Sequence, residues 1–414
     1  MTKRASWAVV AALAAGWLGV AAAILSHRVY VSNDSISNYA HVWFISDSVW
    51  DGHLLPYTFP LIGHGQALAY PYAFVPWTTA ALLHPLLGDW VTTLWLVLGA
   101  AGAIAATIWA LPEVRGPWAL AGVLGNPMLV EGLILAQLPF LWATAFLFTA
   151  VGAWRRGWRV PAVLLMALAQ GNHPAVALPI AGLLVLTWLR WEPERRALLW
   201  SYVLSVALSL PGVAMVFLSP VLEDSGPTST ITNFATTVGA RLPVVFGPVF
   251  IAWLVTRAPR WLPGVAAAVL ALNFALVPFR GTSYAWGALG RVPDRGLLAF
   301  INSPAFEPGA TYRVLRSADG KVGMYQVLIN GGRLDSEFFP ESFARRSWES
   351  LTLYRGFLRG RRVDYVIIYR FYDERHGTNE HALLAELVES GCATKTGRVE
   401  TGDGADVYQV SGCR

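Results

Sequence analysis

The residues able to do chemistry gather in one stretch. Between Val31 and Tyr72 the sequence reads VSNDSISNYAHVWFISDSVWDGHLLPYTFPLIGHGQALAYPY, with the aspartates Asp34, Asp47 and Asp51, the histidines His41, His53 and His64, and Tyr70. A carboxylate within hydrogen-bond reach of a hydroxyl can act as its general base. Imidazole and phenol groups can orient a polar substrate beside it. Histidine with carboxylate also suits zinc and similar ions, so a divalent metal is compatible with the loop. The spacings match no compact ligand motif, and no metal ligand is assigned. Further along, His173 sits in a Gly-Asn-His-Pro run. Arg28, Arg241 and Arg280 offer guanidinium groups, shaped either for phosphate or for snorkelling to lipid headgroups.

Something must hold these groups in place. Residues 35–50 carry Tyr39, Val42, Trp43, Val49 and Trp50 at helical spacing, the pattern of an interfacial amphipathic helix. Asp34 stands where an N-cap belongs. Asn38 and His41 share its face at i+4 and i+7, while Asp47 and Asp51 share the face of Trp43 and Trp50. A Gly- and Pro-rich run then continues to the Tyr70-Pro71-Tyr72 triplet. Long structured loops of this type are more often functional than idle.

The rest of the composition is that of a membrane protein. The 414 residues are 55% hydrophobic and only 14% charged, with mean hydropathy +0.46. Soluble domains carry about 25% charged residues. Apolar runs of spanning length cover 7–26, 90–111, 117–136, 138–154, 160–172, 174–190, 197–219, 241–256 and 262–279. Segment 73–87 is short, contains Pro76 and Pro85, and reads as a re-entrant or interfacial helix. The pair 160–172 and 174–190 breaks at Gly171-Asn172-His173-Pro174, a break tolerated only where protein or a watery cavity covers the backbone.

Basic residues orient this set of helices. With Lys3 and Arg4 inside, eleven basic residues of the apolar part fall on the cytoplasmic side and three outside. The net charge of +5 is therefore a topology signal, and no nucleic-acid partner is expected. The N-terminus is cytoplasmic on this reading and the tail is exported. Ten acidic residues precede Arg280 and 16 follow it, which sets the boundary there. The expected fold class is a membrane all-α protein: a polytopic helical bundle of about nine spans, with a C-terminal extracytoplasmic α/β domain. The expected domains are residues 1–280, with a first outer loop at 27–72, and residues 281–414.

In the tail, 311–316 and 322–328 read as strands, and 363–369 as a buried strand. A helix is expected over 379–390, closed by Gly391, and a last strand over 406–410. His376 and His381 look isolated, and Asp373-Glu374 reads as a solvated loop. Cys392 and Cys413, an even pair in an exported domain, suit a disulfide.

The order of these features resembles the integral-membrane glycosyltransferases of the GT-C type. More narrowly, Asp34, His41, Gly52-His53-Leu54-Leu55-Pro56, Gly63-His64-Gly65 and Tyr70-Pro71 resemble the membrane domain labelled as related to 6-pyruvoyl-tetrahydropterin synthase. One departure is that many GT-C enzymes show paired acidic residues where this chain has Ser32-Asn33-Asp34. The resemblance implies inverting transfer from a polyprenyl-phosphate sugar to a cell-envelope glycan or lipid at the plasma membrane, and the scarcity of lysine beside arginine points to a GC-rich bacterial genome. It implies Asp34 as general base with Asp47 or Asp51 in reserve. His53 or His64 would position sugar or acceptor, and Arg241 or Arg280 would hold phosphate. Other substrate contacts would come from Arg28, His41, Tyr70 and His173. Two competing readings are a transporter or flippase of lipid-linked or polar substrates, and a catalytically silent scaffold of the same fold.

Overall fold

The computed structural model describes residues 3–32, 35–53, 59–62, 73–217, 300–315, 321–335, 348–399 and 404–411, with Gly247. The segments 241–256 and 262–279, expected to span, lie outside them. Two compact units divide the described chain. The first is helical and holds residues up to Ser35 and from Ala73 to Phe217. The second holds Ile36 onward in the first loop, together with the tail.

The helical unit opens with α1 (Lys3–Leu25) and continues through α3 (Phe74–Leu87), α4 (Trp90–Ala110), α5 (Pro117–Leu124), α6 (Pro127–Ile134), α7 (Leu138–Arg155), α8 (Arg159–Asn172), α9 (Pro174–Trp188) and α10 (Arg195–Phe217). Among the described residues, two helical stretches are long and apolar enough to cross a membrane, Ser6–Leu25 and Trp90–Ala110. Helix α3 has 14 residues, roughly 21 Å, too short for a hydrocarbon core of about 30 Å. It leaves Leu82, Leu83, Leu86 and Leu87 exposed.

The stretch 117–136, expected as one span, is two eight-residue helices instead. Pro127 lacks an N–H and disfavours helical geometry at Asn126, so α5 stops at Leu124 and α6 begins afresh. Asn126 is buried at the break. The second break matches the sequence: α8 and α9 meet at His173, whose φ of −147° interrupts the helix. There the carbonyl of Asn172 accepts the N–H of Ala73 at 3.0 Å, and its side-chain oxygen accepts that of Val75 at 3.2 Å.

Two other contacts tie the unit to the first loop's entrance. Tyr30 and Ser32 both donate their hydroxyls to the carbonyl of Ile134, the last residue of α6, each at 2.6 Å. At the opposite end of α4 and α7, Arg155 grips Glu113 with a 2.6 Å bridge and Arg159 reaches Glu194 at 2.7 Å. The guanidinium of Arg156 lies 3.8 Å above the Trp109 ring.

The tail carries a five-stranded sheet in the order β2-β1-β3-β5-β4, formed by β1 (Thr311–Leu315), β2 (Arg333–Leu334), β3 (Tyr365–Tyr369), β4 (Ala393–Val399) and β5 (Ala405–Val410). Strands β1, β2 and β3 run parallel, and β5 pairs antiparallel with β3 and β4. Parallel neighbours need a crossover, and a helix is its usual form. That explains a misreading: Val322–Leu328, expected as a strand for its β-branched and aromatic residues, lies in α11 (Lys321–Ile329) between β1 and β2. The expected helix at 379–390 is α14 (Glu380–Glu389), and α12 (Leu351–Gly360) and α13 (Tyr372–His376) complete the set. Leu358, Val366, Ile368, Leu384 and Leu387 form the core beside the sheet.

Among the described glycines, Gly152 of α7 packs most closely, against α4. A Cβ built on Gly152 would come 2.2 Å from the Trp109 ring and 3.2 Å from Ala110 Cα. Arg156 also lies on that ring and donates its Nη1 to the Gly152 carbonyl at 2.9 Å, so the ring is held and has little room to yield. Gly152→Ala should therefore cost about 1–3 kcal/mol, seen as a lower melting temperature in detergent. Gly171→Ala, where a Cβ meets nothing within 4 Å, should leave it unchanged.

Candidate functional site

Helix α2 (Ser35–Trp50) positions the predicted loop residues. Most of it is buried, including Asn38, Tyr39, His41, Val42 and Ile45, so it is not the half-exposed interfacial helix that its spacing suggests. His41 is packed within the second unit. Its Nδ1 donates to the Ser37 carbonyl at 2.7 Å, and its ring meets Phe59 edge-on at 5.3 Å. Phe59 stacks on Phe44 at 4.3 Å, fixing the far side of the loop against the helix.

The C-terminal end of α2 emerges from this packing. Asp47, Asp51 and His53 are all exposed there, and Trp50 keeps 61% of its surface. Backbone hydrogen bonds Asp51 N–H to Asp47 O (3.0 Å) and His53 N–H to Ser48 O (3.0 Å) wind the turn that holds them, with Gly52 at φ +83°. The position opposes the two carboxylates. A helix ends in partial negative charge, which costs a nearby anion about 0.3–1 kcal/mol, and no basic residue sits in this last turn. Beyond it, Leu334 donates its N–H to the Leu61 carbonyl at 2.8 Å, and Ile62 forms a parallel bridge with Leu334. Tyr39 lies 6.1 Å from the Tyr325 ring of α11. The first loop is thus built into the tail as one unit.

The remaining predicted residues are distributed as follows. Arg28 is exposed and its guanidinium lies against Gly88, where a Cβ would come within 3.2 Å. Beside it, His84 Nε2 and Asp89 Oδ1 are 3.2 Å apart. His173 is buried at the α8–α9 break, 6.3 Å from the Phe140 ring. Asp34, His64, Tyr70, Arg241, Arg280 and Cys413 lie outside the described residues, and Cys392 is buried in the tail core. Among the described residues no three His, Cys, Asp or Glu side chains gather as metal ligands.

Two charged clusters escaped the sequence reading. In the first, Arg313 of β1 is 2% exposed and bridges Asp335 (2.9 Å) and Glu380, whose other oxygen accepts the Tyr354 hydroxyl at 2.5 Å. Burial works against the charge on Arg313, but Glu380 and Asp335 more than offset it and hold the guanidinium protonated. Burial and the Glu380 charge together push the Tyr354 hydroxyl well up. An arginine in the centre of the strand TYRVL, all five residues of which are buried, was the available signal.

In the second, Asp373 is no solvated loop residue. It accepts hydrogen bonds from the Thr378 hydroxyl (2.5 Å) and the N–H groups of Glu380 (3.0 Å) and His381 (2.8 Å), and pairs with His381 Nδ1 at 2.9 Å. It therefore caps α14 from seven residues upstream, and His381 is not isolated.

No family model matches the chain, and no curated protein matches it. Among solved structures, it is similar to the archaeal oligosaccharyltransferase AglB from Archaeoglobus fulgidus, in complex with an inhibitory peptide and a dolichol-phosphate, at 14% identity and a TM-score of 0.34. The match covers 83% of this chain and 45% of that one, so the chain spans less than half of its length. At that score the two backbones share too little for a conclusion to be drawn.

The Asp373 cap has a pH signature. Burial pushes its carboxyl up, but the hydrogen bonds from His381, Thr378 and the backbone outweigh burial and lower it from 3.8 to about 2. A lowered carboxyl stabilises the fold above its unfolded value and loses that contribution as pH falls through its folded one. Asp373→Asn should cost about 1–2 kcal/mol near neutrality. Its deficit against the wild type, measured by denaturant unfolding, should shrink steadily from pH 4 to pH 2.

Proposed function

We propose that the chain is a multi-pass membrane glycosyltransferase, moving a sugar from a polyprenyl-phosphate donor to a hydroxyl of a cell-envelope glycan or lipid on the extracytoplasmic face. The observation that carries this reading is the exposed pair Asp47 and Asp51. They stand at the helix end where the backbone dipole opposes them, on a loop hydrogen-bonded to the tail. Two exposed carboxylates on a fixed helix end are open to a hydroxyl that brings its proton within hydrogen-bond reach.

In this reading the acceptor oxygen bonds to the anomeric carbon while its proton passes to a carboxylate. The bond from that carbon to the donor's phosphate oxygen breaks, and the polyprenyl phosphate leaves with the electron pair. Asp34 is the first choice of base from the resemblance of its surroundings in sequence, with Asp47 and Asp51 in reserve. His53 or His64 orients sugar or acceptor, and Arg241 or Arg280 balances charge on the leaving phosphate.

One observation favours a second reading, a transporter of lipid-linked substrates. The helical unit holds two interrupted helix pairs, at Asn126 and at His173, and transporters build sites on such interruptions.

Reconstituted wild-type protein should transfer labelled sugar from a polyprenyl-phosphate donor panel. Replacing the base, Asp34→Asn first and Asp47→Asn or Asp51→Asn next, should lower the rate about a hundredfold or more with folding intact. A chelator arm reads metal dependence in the same assay. Absence of transfer across the panel, with reagents reaching Asn126→Cys from both faces, would replace this reading with the transporter.

The exported tail carries its own check. A Cys392–Cys413 disulfide belongs to this topology, so native protein unfolded without reductant should titrate no thiols. Two reactive thiols would count against export.

A further inference from the structure

A cavity of about 380 Å³ lies where the parallel strands of the tail sheet begin. Thr311 starts β1 there, Arg333 starts β2, and Asp364 immediately precedes β3. Helix α12 and the turn after it add Arg355, Arg359 and Arg362, spaced i, i+4, i+7 on one face. Four guanidinium groups thus line the cavity with a single carboxylate, and Asp364 already accepts the Thr311 N–H at 2.8 Å.

The helix itself accounts for only one of these arginines. Arg359 occupies the last turn of α12, where the dipole favours a cation. Arg355 is a turn further in, and like charges at i, i+4 weaken a helix. Its Nη2 donates to Ser390 Oγ at 2.6 Å, which fixes the guanidinium, while its Nε is buried without a hydrogen-bond partner. Arg362 follows the C-cap of α12 at φ +49°, the left-handed turn that ends the helix, a place more often taken by glycine than by a charged residue. Among the described residues, Arg333, Arg355 and Arg362 have no carboxylate partner.

From this cavity we infer a binding site for a phosphate group carried on a small polyol or sugar. Guanidinium groups match phosphate oxygens in geometry and charge. The volume lies at the small end of ligand sites, with room for the phosphate and the group that bears it. The same chemistry could arrive as a soluble phosphate ester or as a glycerophosphate lipid headgroup. The inference is independent of sugar transfer, since binding is read without turnover.

The test uses the full chain in neutral detergent, titrated with glycerol 1-phosphate and with inorganic phosphate at ionic strength fixed by chloride, and read by calorimetry and thermal shift. Both probes should saturate, the ester more tightly. Arg355→Gln should raise its half-saturation about tenfold or more, the loss of a charge-assisted contact. Arg333→Gln, at an exposed position, should weaken it as well and serves where Arg355→Gln misfolds. Arg361→Gln, outside the cavity, should not. Loss of ester binding in phosphatidylglycerol nanodiscs but not in phosphatidylcholine nanodiscs would assign the site to a lipid headgroup; retention in both would assign it to a soluble ester. Absence of saturable binding, or equal half-saturation in wild type, Arg333→Gln and Arg355→Gln, would overturn the inference.

Discussion

A full positive charge sits inside the tail unit, and the elements around it are fixed by the need to satisfy it. Taking a guanidinium out of water costs several kcal/mol unless opposite charges and hydrogen bonds replace the solvent. Arg313 finds them in Asp335 just past β2 and Glu380 at the start of α14, with Tyr354 of α12 closing the second oxygen of Glu380. The Phe357 ring covers its face at 4.8 Å. One side chain of β1 thereby sets the places of a strand end and two helices. Removing Arg313 would strand two buried carboxylates, so the strand end and the helix start depend on this one side chain.

The first loop joins the same arrangement through β2. Leu334 pairs with Tyr312 on one side and bridges to Ile62 on the other, and the next residue is Asp335. The loop that presents Asp47 and Asp51 is therefore tied to a two-residue strand whose end is held by the buried arginine. A long loop would otherwise carry its polar groups on a freely moving chain. Here Leu61 and Ile62 are fixed by backbone pairing, and the preceding part by the packing of α2 around His41 and Phe59.

Local patterns made part of this legible. The buried run 365–369 could only be an interior strand, and Gly391 at φ +71° closes α14 as its sequence indicates. Proline chemistry announced the break at His173. The break before Pro127 carries the same signal, yet the unbroken hydropathy of 117–136 masks it. Val322–Leu328 went astray because parallel pairing of β1 and β2 demands a crossover, a tertiary requirement that overrides β propensity. The Arg313 cluster joins residues 22 and 67 positions apart, and no window along the chain contains it. Asp47 and Asp51 were visible as candidates from their type alone. The helix expected over 35–50 already put them at its C-terminal end; that this end emerges from an otherwise buried helix is set by tertiary packing.

The carbonyl of Ile134 has a role larger than its size. Both of its lone pairs are taken by hydroxyls from Tyr30 and Ser32, at the start of the first loop. That oxygen ends α6, a helix of only eight residues that starts at the Pro127 interruption. Pro127 separates this short helix from its predecessor, and its last residues Leu133 and Ile134 are buried, so its terminal oxygen is a fixed anchor. The loop's point of departure is thus moored to the tip of a short, buried helix, two residues ahead of Asp34 in the chain.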